Sequence, residues 1–121
     1  VHHVWDQVAP KIAQVADRAG TYTIEDIAAR LLKETAQLWV ALDGERVVMA
    51  CVTEINDYKR RECNILICAG SRRQDWIGFL EHIKDWARAE GCQAMTLTGR
   101  KGWQRVLRDW KLAAVELECL L

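Results

Sequence analysis

Apolar positions change period along this chain, and each change marks an element. Val4, Val8, Ile12, Val15 and Ala19 recur at helical spacing, with Trp5 and Ala16 widening the stripe, so a first helix is predicted up to Gly20. Pro10 either kinks that helix or marks its true first turn, which would leave residues 4–9 as a separate turn. Thr23 and Asp26 form a capping box with Asp in place of the usual Glu, and Ile24, Ile27, Ala28, Leu31 and Leu32 give a second helix its buried side. The period then falls towards two. Gln37–Leu42, Asp43-Gly44 and Val47–Ile55 read as a hairpin, with Glu45 and Arg46 able to extend the turn and with Met49, Cys51, Thr53 and Ile55 on one parity. A polar crossing over Asn56–Arg61 leads into Asn64–Ala69, an almost unbroken apolar run of the kind covered on both faces.

Helical spacing returns after Gly70 and Ser71. Trp76, Phe79, Leu80, Ile83, Trp86 and Ala87 share a face, while Glu81, Lys84, Asp85 and Arg88 lie on others, predicting a helix over Gln74–Glu90 that Gly91 stops. Gln93–Thr98 is the next strand, with Met95 and Leu97 on one side. Strand, helix, strand is the βαβ signature and requires a right-handed crossover if the strands are parallel. Trp103, Val106, Leu107 and Trp110 trace a short helix, and Ala114–Leu121 alternates as a final strand. The expected fold is α/β, more narrowly α+β: one domain over residues 1–121, order ααβββαβαβ, with a mixed, mainly antiparallel sheet flanked by helices. Where the third strand feeds the central helix through a small-residue turn, first-turn amides without intrahelical acceptors make a candidate anion site.

Composition narrows the classes. The chain has 121 residues, is half hydrophobic and contains one proline, which favours one compact core over a disordered adaptor. Formal charge is zero but segregated: residues 1–58 carry five cations against nine anions, and residues 59–121 twelve against eight. Lys59-Arg60-Arg61, Arg72-Arg73 and the group Arg100, Lys101, Arg105, Arg108 and Lys111 would meet a phosphorylated cofactor or orient a protein partner, with nucleic acid the minor reading. Five cysteines without CxxC spacing read as small core residues in a reducing compartment, and His2-His3 has no obvious third ligand, so no metal is expected. No apolar run reaches transmembrane length and no signal-peptide pattern opens the sequence, so cytoplasmic synthesis without a membrane role is expected.

The strings QLWVALDGERVVMACVTEI, NILICAGSRRQDWIG, GRKGWQRVLRDW and AAVELECLL, in this element order, resemble the GNAT acetyltransferase superfamily over most of the chain. The resemblance implies acetyl-CoA in an opening where the strand before the central helix splays from its neighbour, with loop amides and the helix N-terminus on the pyrophosphate. The family's Gln/Arg-x-x-Gly-x-Gly/Ala motif falls on Arg73-Gln74-Asp75-Trp76-Ile77-Gly78, so Ser71, Arg72, Arg73, Gln74, Trp76 and Gly78 are the implied cofactor residues. Trp76 stands at the central glycine position, where its indole would fill space that the pyrophosphate enters, and Asp75 adds a negative charge there. Glu54 is the implied catalytic base, ahead of Glu62, and Leu107 stands where the family's acid tyrosine is expected. Cys68 would suggest an acyl-enzyme, but with no histidine in its sequence context it reads as a buried thiol.

The function implied is transfer of acetyl from acetyl-CoA to an unidentified amine. The short, tryptophan-rich form also resembles GNAT-like proteins of bacteriophage genomes, some associated with virion genes. That implies the alternative of a non-catalytic GNAT-fold structural or adaptor protein, present in the cytoplasm or in a virion. It would join copies of itself or virion proteins through an apolar patch containing at least one of Trp39, Trp76 and Trp103.

Overall fold

The computed structural model describes residues 2–19, 22–70, 75–97, 107, 109–110 and 119–121. Helix α1, His2–Ala19, runs unbroken through Pro10. Pro10 lies on the exposed side, where water can take the carbonyl that its missing N–H leaves free, while Val8, Ile12 and Ala16 are buried against the sheet. The separate first turn is therefore not formed. Helix α2, Ile24–Leu32, has the capping box: the Asp26 amide donates to Thr23 Oγ1 at 3.1 Å, and the Thr23 amide donates to Asp26 Oδ2 at 3.4 Å.

Strands β1 (Gln37–Asp43), β2 (Arg46–Asp57) and β3 (Arg61–Gly70) form an antiparallel meander, and β4 (Ala94–Leu97) joins β3 in parallel after α3 (Trp76–Ala89). The sheet order is β1-β2-β3-β4. Helices α1 and α2 cover one face and α3 covers the other, the mixed α+β arrangement expected. Asp43 pairs with Arg46, so the hairpin loop is only Gly44-Glu45, with Gly44 supplying φ +63°. Gln7 fastens this loop to α1: its Nε2 donates to the Glu45 carbonyl at 2.9 Å, and the Val47 amide donates to its Oε1 at 2.7 Å.

Two bulges set the side-chain directions. Between β1 and β2 the register passes from Ala41↔Met49 to Leu42↔Val47, leaving Val48 as the extra residue. Val48 and Met49 then both pack on the α3 side, whereas Val47 and Ala50 pack under α1 and α2. Between β2 and β3 the register passes from Val52↔Ile67 to Thr53↔Ile65, leaving Leu66 as the extra residue. Leu66 and Ile67 both pack on the α1 and α2 side, while Ile65 before them and Cys68 after them face α3. Uninterrupted burial from Val47 to Thr53 is thus compatible with a sheet covered on both faces.

The predicted final helix falls largely outside the described residues; Leu107 is buried on the α3 side, and the Trp110 amide donates to its carbonyl at 3.1 Å. Most of the predicted strand Ala114–Leu121 also lies outside them, but Cys119, Leu120 and Leu121 are described, and they are exposed and not in a strand.

Gly70 is where β3 meets the first bulge most tightly. It pairs with Met49 at φ +153°, and a Cβ there would lie 2.6 Å from the Val48 carbonyl oxygen and 2.9 Å from Met49 Cα. Backbone cannot move aside as a flexible side chain can. Gly70→Ala is expected to cost about 3 kcal/mol, combining strain with overpacking. Gly44→Ala, at φ +63° with nothing within 4 Å of the added carbon, is expected to cost only about 1 kcal/mol. Denaturant titration of the two variants checks the ranking, and equal losses would refute it.

Candidate functional site

Helix α3 begins directly above the Val48 bulge. Its N-cap, Asp75, has helical backbone angles and makes no side-chain capping bond, and the first turn contains no acidic residue. Amides at the start of a helix have no intrahelical acceptor, so the first turn of α3, at Ile77 and Gly78, carries donors an anion would use. The Trp76 side chain does not project over them. It is 4% exposed and packs with Val48 and Met49, and its ring meets Phe79 edge-on at 5.4 Å. The large side chain is thus buried under the helix, on the sheet side of its first turn. Gly78 is exposed, and a Cβ built there meets nothing within 4 Å. Ser71, Arg72, Arg73 and Gln74 lie outside the described residues.

On the α1 and α2 face, register brings a polar row together across three strands. Glu54 of β2 pairs with Asn64 of β3, and Asn64 pairs with Thr96 of β4. The Thr96 hydroxyl donates to Asn64 Oδ1. Glu54 Oε2 accepts from Arg30 Nη1 of α2 at 2.6 Å, and the Arg30 guanidinium lies over the Tyr22 ring at 5.2 Å. Tyr22 thus combines packing with a cation contact. The described β3–β4 ladder ends one pair beyond this row, at Ile65↔Leu97, just before the Leu66 bulge. Met49, opposite Gly70, lies five residues from Glu54 along β2, which corresponds to about 17 Å of strand. Glu62, the second base candidate, instead pairs with Arg60 at 3.2 Å near the hairpin end.

Arg30, Asn64 and Thr96 were not singled out by sequence reasoning. Asn64 gave a faint signal as the polar residue opening an apolar run, but Thr96 becomes its partner only through the parallel register. Leu107 is 7% exposed within the α3-side core and has no hydroxyl to offer a departing thiolate. The described tryptophans are likewise buried or half-buried. Trp39 Nε1 donates to Thr53 Oγ1 at 3.0 Å, Thr53 bonds onward to Gln37 at 2.9 Å, and the Trp39 ring meets Trp86 edge-on at 5.2 Å. No described tryptophan is exposed, and Trp103 lies outside the described residues. Among the described residues no His, Cys, Asp and Glu group could hold a metal ion, and no helix is long and apolar enough to cross a membrane.

No protein-family model matches the chain, and no curated protein sequence does. Solved structures do share its fold. A probable acetyltransferase superposes with a TM-score of 0.70 at 17% identity, covering 95% of this chain and 93% of that one. A GNAT family acetyltransferase of Staphylococcus aureus gives 0.66 at 12% identity, covering 98% and 93%. A predicted acetyltransferase of Clostridium acetobutylicum, solved with acetyl-CoA, gives 0.61 at 12% identity, covering 81% and 71%. At these identities the likeness is one of fold, and the chain has the GNAT acetyltransferase fold.

The α3-side core carries a pH consequence. Burial, followed by the neighbouring Cys92, pushes the Cys63 thiol up from 9.0 to about 11, with Thr53 hydrogen bonding offsetting part of the rise. The unfolded chain therefore ionises Cys63 first. Its contribution is fully present below pH 9 and is lost as the pH rises towards 11, amounting to about 2 kcal/mol. Urea titrations across that window should show Cys63→Ala losing less stability with rising pH than the parent, and parallel curves would exclude this origin.

Proposed function

We propose that this chain is an N-acetyltransferase that moves an acetyl group from acetyl-CoA to an amine. The observation that carries the reading is the start of α3: an N-cap residue, Asp75, whose side chain makes no capping bond, open space at Gly78, and the bulky motif residue Trp76 turned into the core. That arrangement fits a diphosphate, as does the positive charge that Arg72 and Arg73 add in the sequence. The fold likeness to a protein solved with acetyl-CoA supports the same reading.

Acetyl-CoA would supply a thioester whose C–S bond breaks as the amine nitrogen bonds to the acetyl carbon. Amides of the first turn of α3, at Ile77 and Gly78, would hold the diphosphate, with charge from Arg72 and Arg73 in the sequence. Main-chain amides of β3 and β4 would polarise the carbonyl. Glu54, directly or through water, accepts the proton that the amine loses. In the state described, Arg30 occupies one Glu54 oxygen, so proton acceptance uses the other oxygen or follows a shift of the guanidinium. Solvent supplies the proton to the CoA thiolate, because Leu107 cannot.

A second reading has its own support. The Glu54–Arg30 ion pair and the burial of Leu107 equally suit a GNAT-fold protein that has left catalysis for a structural or adaptor role, as a homo-oligomer or in a virion. The tryptophan-anchored version of that role is weakened by the inward placement of Trp39 and Trp76.

Two measurements separate the readings. Calorimetry with acetyl-CoA should give saturable binding. Gly78→Ala should weaken it about tenfold by filling the open approach, while raising conformational stability by about 0.5–1 kcal/mol through helix propensity. Binding and stability moving in the same direction would count against the site. In a thiol-release assay over an amine panel, Glu54→Gln should lower turnover about 100-fold or more with the fold intact. Saturable binding without turnover on any amine would instead support the non-catalytic role.

A further inference from the structure

We propose that Cys51 and Cys68 form a thiol pair that a peroxide-class oxidant converts reversibly into a disulfide, joining β2 to β3 beneath the first turn of α3. The inference is independent of acetyl transfer and rests on register. Cys51 and Cys68 stand directly opposite each other on antiparallel strands, with their sulfurs 3.4 Å apart in a hydrogen bond. Directly opposed Cα atoms on such strands are about 4.5–5.5 Å apart, inside the range a disulfide spans, so closing the sulfurs to about 2.05 Å needs side-chain rotation and no strand movement.

The Leu66 bulge creates the pair. Continued without the extra residue, the Thr53↔Ile65 register would set Ile67 opposite Cys51 and Cys68 opposite Ala50. The bulge shifts Cys68 by one position, onto the same face as Cys51. The two thiols also differ in access. Cys51 is fully buried and Cys68 is only partly so, which makes Cys68 the sulfur a small oxidant reaches. Cys51 is held in its protonated form by the hydrogen bond with Cys68 and then by burial, so the sulfur placed to resolve a Cys68 sulfenic acid does so by contact and loses its proton only as it attacks.

The chemistry balances with one peroxide. The Cys68 sulfur attacks a peroxide oxygen, the O–O bond breaks, and the departing oxygen leaves as water with the thiol proton. The resulting sulfenic acid is then attacked by the Cys51 sulfur. An S–S bond forms, the S–O bond breaks, and hydroxide takes the Cys51 proton as a second water. Two electrons pass from sulfur to oxygen, and a dithiol reductant reverses the result. The product would staple the sheet two residues before Gly70, beside Trp76 and Phe79 of α3.

The test uses the full chain treated with hydrogen peroxide, followed by alkylation under denaturing conditions and peptide mass spectrometry. The expected result is the loss of two hydrogens, a Cys51 peptide linked to the peptide spanning Glu62–Arg72, and fragmentation assigning the bond to Cys68 with Cys63 alkylated. Dithiothreitol should reverse the change, and the thermal midpoint of the oxidised form should rise by several degrees because the denatured chain is cross-linked. In Cys51→Ser, dimedone should trap Cys68 as the sulfenic acid, and in Cys68→Ser, Cys51 should stay reduced. Linkage of Cys68 to any other cysteine, accumulation of sulfinic Cys68 in the unmodified protein, or reduced Cys51 and Cys68 at doses that oxidise the exposed Cys119 would each overturn the proposal.

Discussion

The extra residue at Leu66 governs how β3 serves two different layers. A strand sandwiched between helices must satisfy two apolar surfaces at once, and strict alternation would hold every odd residue of β3 to one of them. The bulge breaks that alternation after Ile65, so Leu66 and Ile67 support α1 and α2 while Cys68 returns to α3. Its counterpart at Val48 does the same for β2, giving Trp76 a seat formed by Val48 and Met49. The position of the helix start therefore depends on local departures from ideal pairing, and the close approach at Gly70 is where β3 meets the one at Val48.

Much of the fold was legible because it is local. The i, i+4 recurrence of Val8, Ile12 and Ala16, the Thr23–Asp26 box and the Asp43-Gly44 turn each act within a few residues, and each has its expected structural role. Bulges are not local in that sense. Val48 and Leu66 look like ordinary members of apolar strands, and only the partner strand shows that one of two residues is surplus. The same limit hid the polar row, in which Glu54 and Arg30 are 24 positions apart and Asn64 and Thr96 are 32 apart.

The candidate site was legible by type more than by geometry. Motif spacing set Trp76 at a position where the family has glycine, and size alone implied obstruction. Direction is what the motif omits: at the first position of α3 the side chain points down into the sheet, where Val48 and Met49 seat it. Glu54 shows the converse. Its residue type suits a base, but its neighbour Arg30 comes from a helix packed over the strand, a contact that no reading of β2 alone contains.

The Gln7 clamp has a consequence for how the chain acquires its shape. The two bonds from Gln7 reach the hairpin across 38 and 40 positions of sequence, whereas the hairpin closes through two residues. Closing the longer loop costs more chain entropy, and the acceptor and donor that Gln7 needs exist in register only once the turn has formed. On this accounting the turn is the cheaper contact to close first, and a clamp made after it would slow unfolding more than it speeds folding, holding the amphipathic helix to a meander that can assemble before it.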